Sequence, residues 1–142
     1  MFELSYFYNQ CQRNDVDIIP FIGCPNRAAT VRADGFLTIF LDFDQIKSTR
    51  LLRGICYHES GHVGTGALHK VSSSPKTVDK AEAKANRWAA EHYLTVEDFR
   101  TAFAAGYTEL WELAEYFDLP EEDIQKALHY WTECRGIDFN AP

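Results

Sequence analysis

The residues best suited to do chemistry in this chain are His58, Glu59 and His62, which form the sequence H-E-x-x-H. They lie in a stretch with a helical pattern. Residues four apart on a helix differ by about 40° in direction, so both imidazoles project from one face. Two imidazole nitrogens placed in this way can bind one tetrahedral zinc ion, and the glutamate beside them is a candidate general base. The spacing therefore predicts a site for one Zn²⁺ per chain, with Glu59 as the catalytic residue.

A catalytic zinc ion held by two histidines needs a third protein ligand and one open position for water. The helix expected after the motif offers Glu82, which lies three residues before Ala85, on or next to the apolar stripe that faces the core. Asp79, one turn earlier on a similar face, is the second choice. Glu91 is the third, because nine residues of helix place it about half a turn round from Glu82. The predicted ligands are therefore the two histidines and Glu82.

These residues are suited to zinc-dependent hydrolysis of a peptide bond. The metal would lower the pKa of a water molecule, and Glu59 would take a proton from this water and pass it to the leaving amine. The negative charge that develops on the carbonyl oxygen usually needs a second donor. His69 and His92 are the candidate donors, and the sequence leaves Tyr57 and Tyr93 open as well.

The elements that must position these residues begin with a short amphipathic helix, predicted from residue 2 to about residue 13. Strand-like runs follow at 16–21, 30–32 and 36–41, and an Asp-Gly pair between the last two is a hairpin signal. These runs predict a small, mostly antiparallel sheet. Residues 36–43 form either an edge strand that accepts a peptide beside the cleft or a strand that is fully paired within the sheet.

Helical patterns occupy most of the remaining chain. The H-E-x-x-H helix is expected to begin at Ser48 or Thr49 and to end near Gly64. Further helices are expected after a polar loop at 71–75, over about 77–93, from the capping box at 95–98 to residue 106, and over 108–117 and 121–134. We therefore expect an α+β fold with a metallopeptidase domain at 1–94 and a C-terminal helical region at 95–142 that packs on it.

The composition is that of a globular protein with an acidic balance. The chain has 142 residues, 46% of them hydrophobic, and a formal net charge of -7. This charge disfavours non-specific binding to nucleic acid or anionic lipid. No signal peptide and no membrane-spanning stretch is evident, which favours a cytoplasmic location. The cysteines are scattered without a C-x-x-C pair, so we expect reduced and mostly buried thiols at Cys11, Cys24, Cys56 and Cys134.

The chain resembles the ImmA/IrrE metallo-endopeptidases, in particular small members from phages and integrative elements of Gram-positive bacteria. The resemblance lies in the order of a short helix, strands, the H-E-x-x-H helix and the segment E-A-K-A-N-R-W-A-A-E at 82–91. Residues 106–117 are similar to the tail of that branch. The resemblance covers nearly the whole chain and is anchored at H-E-x-x-H and A-N-x-W-A. It implies a zincin-like fold of the gluzincin type, in which His58, His62 and an acidic residue of the second helix bind zinc and Glu59 is catalytic.

One position departs from the family pattern. Many relatives have Glu immediately before the Ala-Asn pair, where this chain has Lys84, and the acidic ligand is offered by Glu82 instead. Characterised members cleave a repressor that is encoded beside them. The resemblance therefore implies an endopeptidase whose substrate is one partner transcriptional repressor of a phage or mobile element.

A different class of function is suggested by residues 113–128, whose apolar positions also fit a helix-turn-helix. The second helix of this pair would begin with Glu121, Glu122 and Asp123, and DNA phosphates would repel these carboxylates at the end that recognition helices present to the groove. Direct DNA binding is therefore disfavoured. The alternative is a non-catalytic regulatory protein that uses this tail to dock a repressor or DNA, with any zinc being structural.

Overall fold

A small sheet and a set of helices make up the computed structural model of the protein, which describes residues 1–23, 26–66 and 74–140. These ranges contain, in chain order, α1 (Leu4–Arg13), β1 (Asp17–Pro20), β2 (Ala28–Ala33), β3 (Phe36–Leu41), α2 (Thr49–Thr65), α3 (Pro75–Tyr93), α4 (Val96–Ala104), α5 (Leu110–Phe117), α6 (Glu121–His129) and a π-helical segment (Tyr130–Cys134). The expected α+β class is confirmed. The candidate donor His69 and most of the polar loop predicted at 71–75 lie outside the described residues.

The three strands form a mixed sheet in the order β1-β3-β2. β2 and β3 are antiparallel, and Asp34 and Gly35 between them have φ angles of 52° and 82°, as the tight hairpin turn of an Asp-Gly pair requires. β1 is parallel to β3, with Ile18 opposite Ile39. The expectation of a mostly antiparallel sheet is therefore wrong for β1. After β1 the chain forms β2 on the far side of β3. The hairpin then turns it back into β3, which runs in the same direction as β1.

The central position of β3 decides between the two alternatives for residues 36–43. β3 is paired on both sides, so the edge-strand prediction for this segment is wrong and the fully paired strand is confirmed. β2 takes the edge position instead. Its residues 28–31 line the cleft in front of the H-E-x-x-H motif.

Helix α2 carries the motif and packs against α3. Ser48 caps its start by accepting a hydrogen bond from the backbone N–H of Leu51 at 3.1 Å, and Gly66 ends it with a left-handed φ of 65°. The two helices approach closely because Gly61 faces the backbone of Ala85. A Cβ at Gly61 would lie 2.7 Å from the Ala85 carbonyl carbon. This approach brings the motif within reach of side chains on α3.

Helices α4 to α6 pack on the earlier part of the chain. The boundary predicted at residue 94 falls between α3 and α4, and α4 begins with the predicted capping box. Trp131 donates a hydrogen bond from Nε1 to the Leu94 carbonyl at 2.7 Å. The buried guanidinium of Arg53 on α2 donates to the Asp118 carbonyl at 2.9 Å. Buried side chains from both sides of the boundary belong to one hydrophobic cluster.

The cysteines that the structure describes are free thiols. Cys11 and Cys56 are buried, and Cys134 is exposed. Burial raises the pKa of Cys11 to about 11 and that of Cys56 to about 12. At neutral pH both are protonated, which suits a packing role rather than a nucleophilic one. Cys24 lies outside the described residues.

Candidate metal centre

Three predicted ligand side chains meet at one point between α2 and α3. The Nε2 atoms of His58 and His62 are 3.2 Å apart. The carboxylate of Glu82 bridges them, with Oε2 at 2.9 Å from His58 Nε2 and Oε1 at 3.2 Å from His62 Nε2. Ligand atoms about 2.05 Å from a tetrahedral zinc ion are separated by about 3.3 Å. The two Glu82 distances involve different oxygens of its carboxylate, and one ligand atom from each of the three residues lies within 4.8 Å of the other two, so the donor set fits a single zinc ion.

The electrostatics of the cluster favour a cation. Hydrogen bonds from His58 and then from His62 hold the pKa of Glu82 far below its usual range. Burial alone would lower the pKa of His58, but the hydrogen bond with Glu82 and the charges of Glu59 and Glu82 outweigh it and raise this pKa. His62 is only 5% exposed. The carboxylates thus stabilise positive charge beside the two imidazoles, at the place that a divalent ion would occupy.

The other acidic candidates on α3 stand apart from this point. Asp79 is exposed and does not belong to the cluster, which among the described residues consists of two histidines and Glu82. Glu91 accepts a hydrogen bond from the Tyr130 hydroxyl at 2.5 Å and lies 3.7 Å from Arg135 Nη1. Lys84, where many members of the resembled family have Glu, is exposed. It is two residues past Glu82 and therefore about 200° round the helix.

Glu59 lies next to the cluster and is 8% exposed. Its Oε2 accepts a hydrogen bond from the hydroxyl of Thr30 on β2. The edge strand thus fixes the orientation of this carboxylate. Sequence reasoning missed Thr30, because the pairing joins residues that are 29 apart in the chain and leaves no local pattern.

A cleft of about 900 Å³ opens in front of the cluster. Its walls come from β2, from α2, from Glu82 on α3 and from the first turns of α6. Glu59, His58 and His62 lie in its lining. The arrangement gives an extended ligand access to the cluster between the edge strand and α6.

The candidate transition-state donors that the structure describes lie elsewhere. The ring of His92 stacks on Trp88 with centroids 3.7 Å apart, and its Nδ1 donates to the Trp88 carbonyl at 2.7 Å. Tyr57 is buried, which raises its pKa above the usual range, and Tyr93 packs edge-to-face on Phe2. In the described part of the chain the cleft lining includes none of the three candidates. A donor role for His69 stays a prediction.

The C-terminal region contributes a residue that sequence reasoning did not assign to the site. Asp123, on the first turn of α6, lines the cleft and is 6% exposed. Burial raises its pKa to about 6, and the charge of Glu122 adds to this while His58 opposes it. A signal was present in the sequence, because Asp123 lies four residues before Ala127 and therefore shares the apolar face of the helix.

Comparisons with known proteins found no similar chain. No protein-family model matches, and neither does any curated protein or solved structure. Within the residues that the structure describes, no helix is long and apolar enough to cross a membrane. The geometry of the site is therefore the basis on which a function can be proposed.

Proposed function

We propose that the protein is a zinc-dependent endopeptidase related to the ImmA/IrrE enzymes, with a gluzincin-type fold. One observation carries the proposal: ligand atoms of His58, His62 and Glu82 lie within 4.8 Å of one another, and Glu59 lies beside them at an open cleft. By its resemblance to that family, the substrate is one partner repressor of a phage or mobile element, cleaved in the cytoplasm.

The residues divide the work of peptide hydrolysis. His58, His62 and Glu82 would hold one Zn²⁺, which when bound polarises a peptide carbonyl and acidifies a water molecule. Glu59 accepts a proton from the attacking water and then donates it to the leaving amine. Because Thr30 donates to Oε2 of Glu59, Oε1 is left to receive the proton. The hydrogen bond keeps the carboxylate turned towards the cleft.

The substrate chain would bind along β2. This strand is at the edge of the sheet in the described part of the chain, and its residues 28–31 line the cleft. An extended peptide can add to such an edge through main-chain hydrogen bonds, which bind it without regard to most side chains. Peptide carbonyls held in this way would pass in front of the histidine cluster.

Metal content tests the ligand set. We expect about one zinc per chain in the purified protein by elemental analysis, and loss of zinc in His62→Ala and in Glu82→Ala. Glu91→Ala is the matched control, because it removes a carboxylate of the same helix that is engaged with Tyr130 instead. Zinc retained in Glu82→Ala would refute the ligand assignment, and no zinc in the parent protein would refute the metal site.

Catalysis is tested separately with Glu59→Gln, which keeps the size of the side chain and removes its basic oxygen. We expect this variant to retain zinc and to lose cleavage of a repressor encoded beside the protein. If Glu59→Gln matches the parent protein in relieving repression, the protein is not acting as a peptidase.

The second candidate is a non-catalytic docking protein, which the exposed aromatic side chains of the C-terminal region favour. Trp111 is 56% exposed and Tyr107 is also exposed. Such side chains often anchor protein partners. DNA is a poorer fit, because the first turn of α6 packs on α2, with Asp123 and Pro120 against Gly54. Retained repressor binding in Glu59→Gln without any cleavage by the parent protein would favour this candidate.

A further inference from the structure

The largely buried carboxylate of Asp123 is favoured only by the charges of His58 and Lys126, neither of which forms an ion pair with it. It is 6% exposed and lines the cleft. No hydrogen bond or ion pair reaches it from any residue within 1–23, 26–66 and 74–140. Burial of an ionised carboxylate without a hydrogen-bond donor lowers the stability of the folded state, and a cation that enters the cleft would offset this loss. The neighbouring acids Glu121 and Glu122 are exposed and incur no such cost.

The position of Asp123 relative to the metal cluster is fixed by its contact with α2. A Cβ at Gly54 would lie 2.8 Å from Asp123 Oδ2 and 2.6 Å from the Pro120 ring. Gly54 is about one helical turn before His58, a distance of about 6 Å along the axis. Successive residues of an extended peptide are about 3.3 Å apart. Measured along α2, this offset corresponds to about one to two residues of an extended peptide.

We propose that Asp123 forms the base of a subsite that takes the side chain of a lysine or arginine flanking the scissile bond. The inference rests on the proposed peptidase function and names part of its substrate specificity. Lysine and arginine have long side chains that end in donors, and a carboxylate accepts hydrogen bonds from these donors. Lys126 and Arg27 also line the cleft and would favour acidic groups at other positions of the same substrate.

Binding of small probes tests the subsite without any need for cleavage. The probes are Nα-acetyl-arginine amide and its uncharged isostere Nα-acetyl-citrulline amide, titrated into the zinc-loaded full-length protein and followed by NMR. We expect the arginine compound to bind at least about tenfold more tightly, because both compounds donate hydrogen bonds but only the guanidinium carries the positive charge that strengthens them. Asp123→Asn should abolish this preference. Glu121→Gln, which removes another acid from the first turn of α6, should keep it.

Equal binding of the two compounds, no binding of either, or a preference that survives in Asp123→Asn would overturn the subsite. Cleavage of a peptide mixture, with the cut sites read by mass spectrometry, separates this result from failure of the peptidase proposal. We expect lysine or arginine to be enriched at one position beside the cut, and Asp123→Asn to cut without that enrichment. Cutting without enrichment in the parent protein would reject the subsite and leave the peptidase standing. An Asp123-dependent arginine preference without any cutting would do the reverse.

Discussion

Replacement of Gly61 by alanine should destroy the metal centre without touching a ligand. Gly61 lies inside the H-E-x-x-H motif, where α2 meets the backbone of α3. A Cβ here would lie 2.7 Å from the carbonyl carbon of Ala85 and 2.9 Å from its Cα. Because these are backbone atoms, no side chain can rotate away to make room. The helices themselves must move apart, and Glu82 must move with α3.

The size of the displacement follows from these distances. Carbon atoms pack at about 3.5–4.0 Å, so α3 must retreat by roughly 1 Å. Metal sites tolerate ligand displacements of only about 0.2 Å. The strain should cost about 1–3 kcal/mol, partly offset by about 1 kcal/mol from the better helix propensity of alanine. For a domain of this size, each kcal/mol lost lowers Tm by about 2–4 °C. We therefore expect a folded protein with a small decrease in Tm and a large loss of zinc affinity.

Gly54→Ala is the matched control for this experiment. It makes the same change in the same helix, but its Cβ meets the side chains of Pro120 and Asp123 on α6 rather than the backbone of α3. Stability should fall while the metal cluster keeps its geometry. Zinc affinity is measured for both variants by competition with a chromogenic chelator, and folding by circular dichroism. If folded Gly61→Ala binds zinc as tightly as the parent protein, the spacing of α2 and α3 does not set the ligand geometry.

Two further predictions follow from the buried carboxylates of the cleft. Thr30→Val removes the hydroxyl that orients Glu59, so zinc content should be unchanged while kcat for repressor cleavage falls roughly tenfold. Thr30→Ser keeps a hydroxyl and should recover kcat. If kcat of the valine variant equals that of the parent protein, Thr30 does not position Glu59. Asp123 has its pKa raised from 3.8 to about 6, so the folded state binds the proton more tightly, and parent stability falls as pH rises between these values. Above pH 6, metal-free Asp123→Asn should therefore be more stable than the metal-free parent by up to about 3 kcal/mol, as measured by urea unfolding. This difference in unfolding free energy should disappear below pH 4. A difference that does not change with pH would show that the charge of Asp123 is not its cause.

The local part of the site could be predicted from the sequence because helix geometry is periodic. The spacing of His58 and His62 fixes their common face wherever the helix lies. The choice of Glu82 followed from its position near the apolar stripe of the next helix, since a ligand must be on the side that faces α2. The Ser48 cap and the Asp-Gly hairpin are likewise set by residues that are close together in the chain.

The parts that sequence reasoning missed depend on contacts between distant segments. Periodicity does not show which strand is central, so the sequence leaves open whether residues 36–43 form an edge strand or a fully paired one, and it does not point to β2 as the cleft edge. The pairing of Thr30 with Glu59 depends on how the sheet docks on α2. The burial of Asp123 depends on the contact of α6 with Gly54, which the position of Asp123 on the apolar face of its helix does not reveal.

The partners of the buried charged groups distinguish structural roles from roles in the cleft. Arg53 donates to the backbone carbonyls of Phe2 and Asp118, which ties α1 and the C-terminal region to α2. Asp42 accepts hydrogen bonds from backbone N–H groups and a glutamine side chain. Both charges are compensated by the fold itself. Asp123 accepts no hydrogen bond from the described residues, although the charges of His58 and Lys126 act on it, and it contacts α2 at Gly54, one helical turn before His58. A fold that encloses a carboxylate beside the histidine cluster without a protein donor is less stable at that position, and binding of a cationic group would offset this loss.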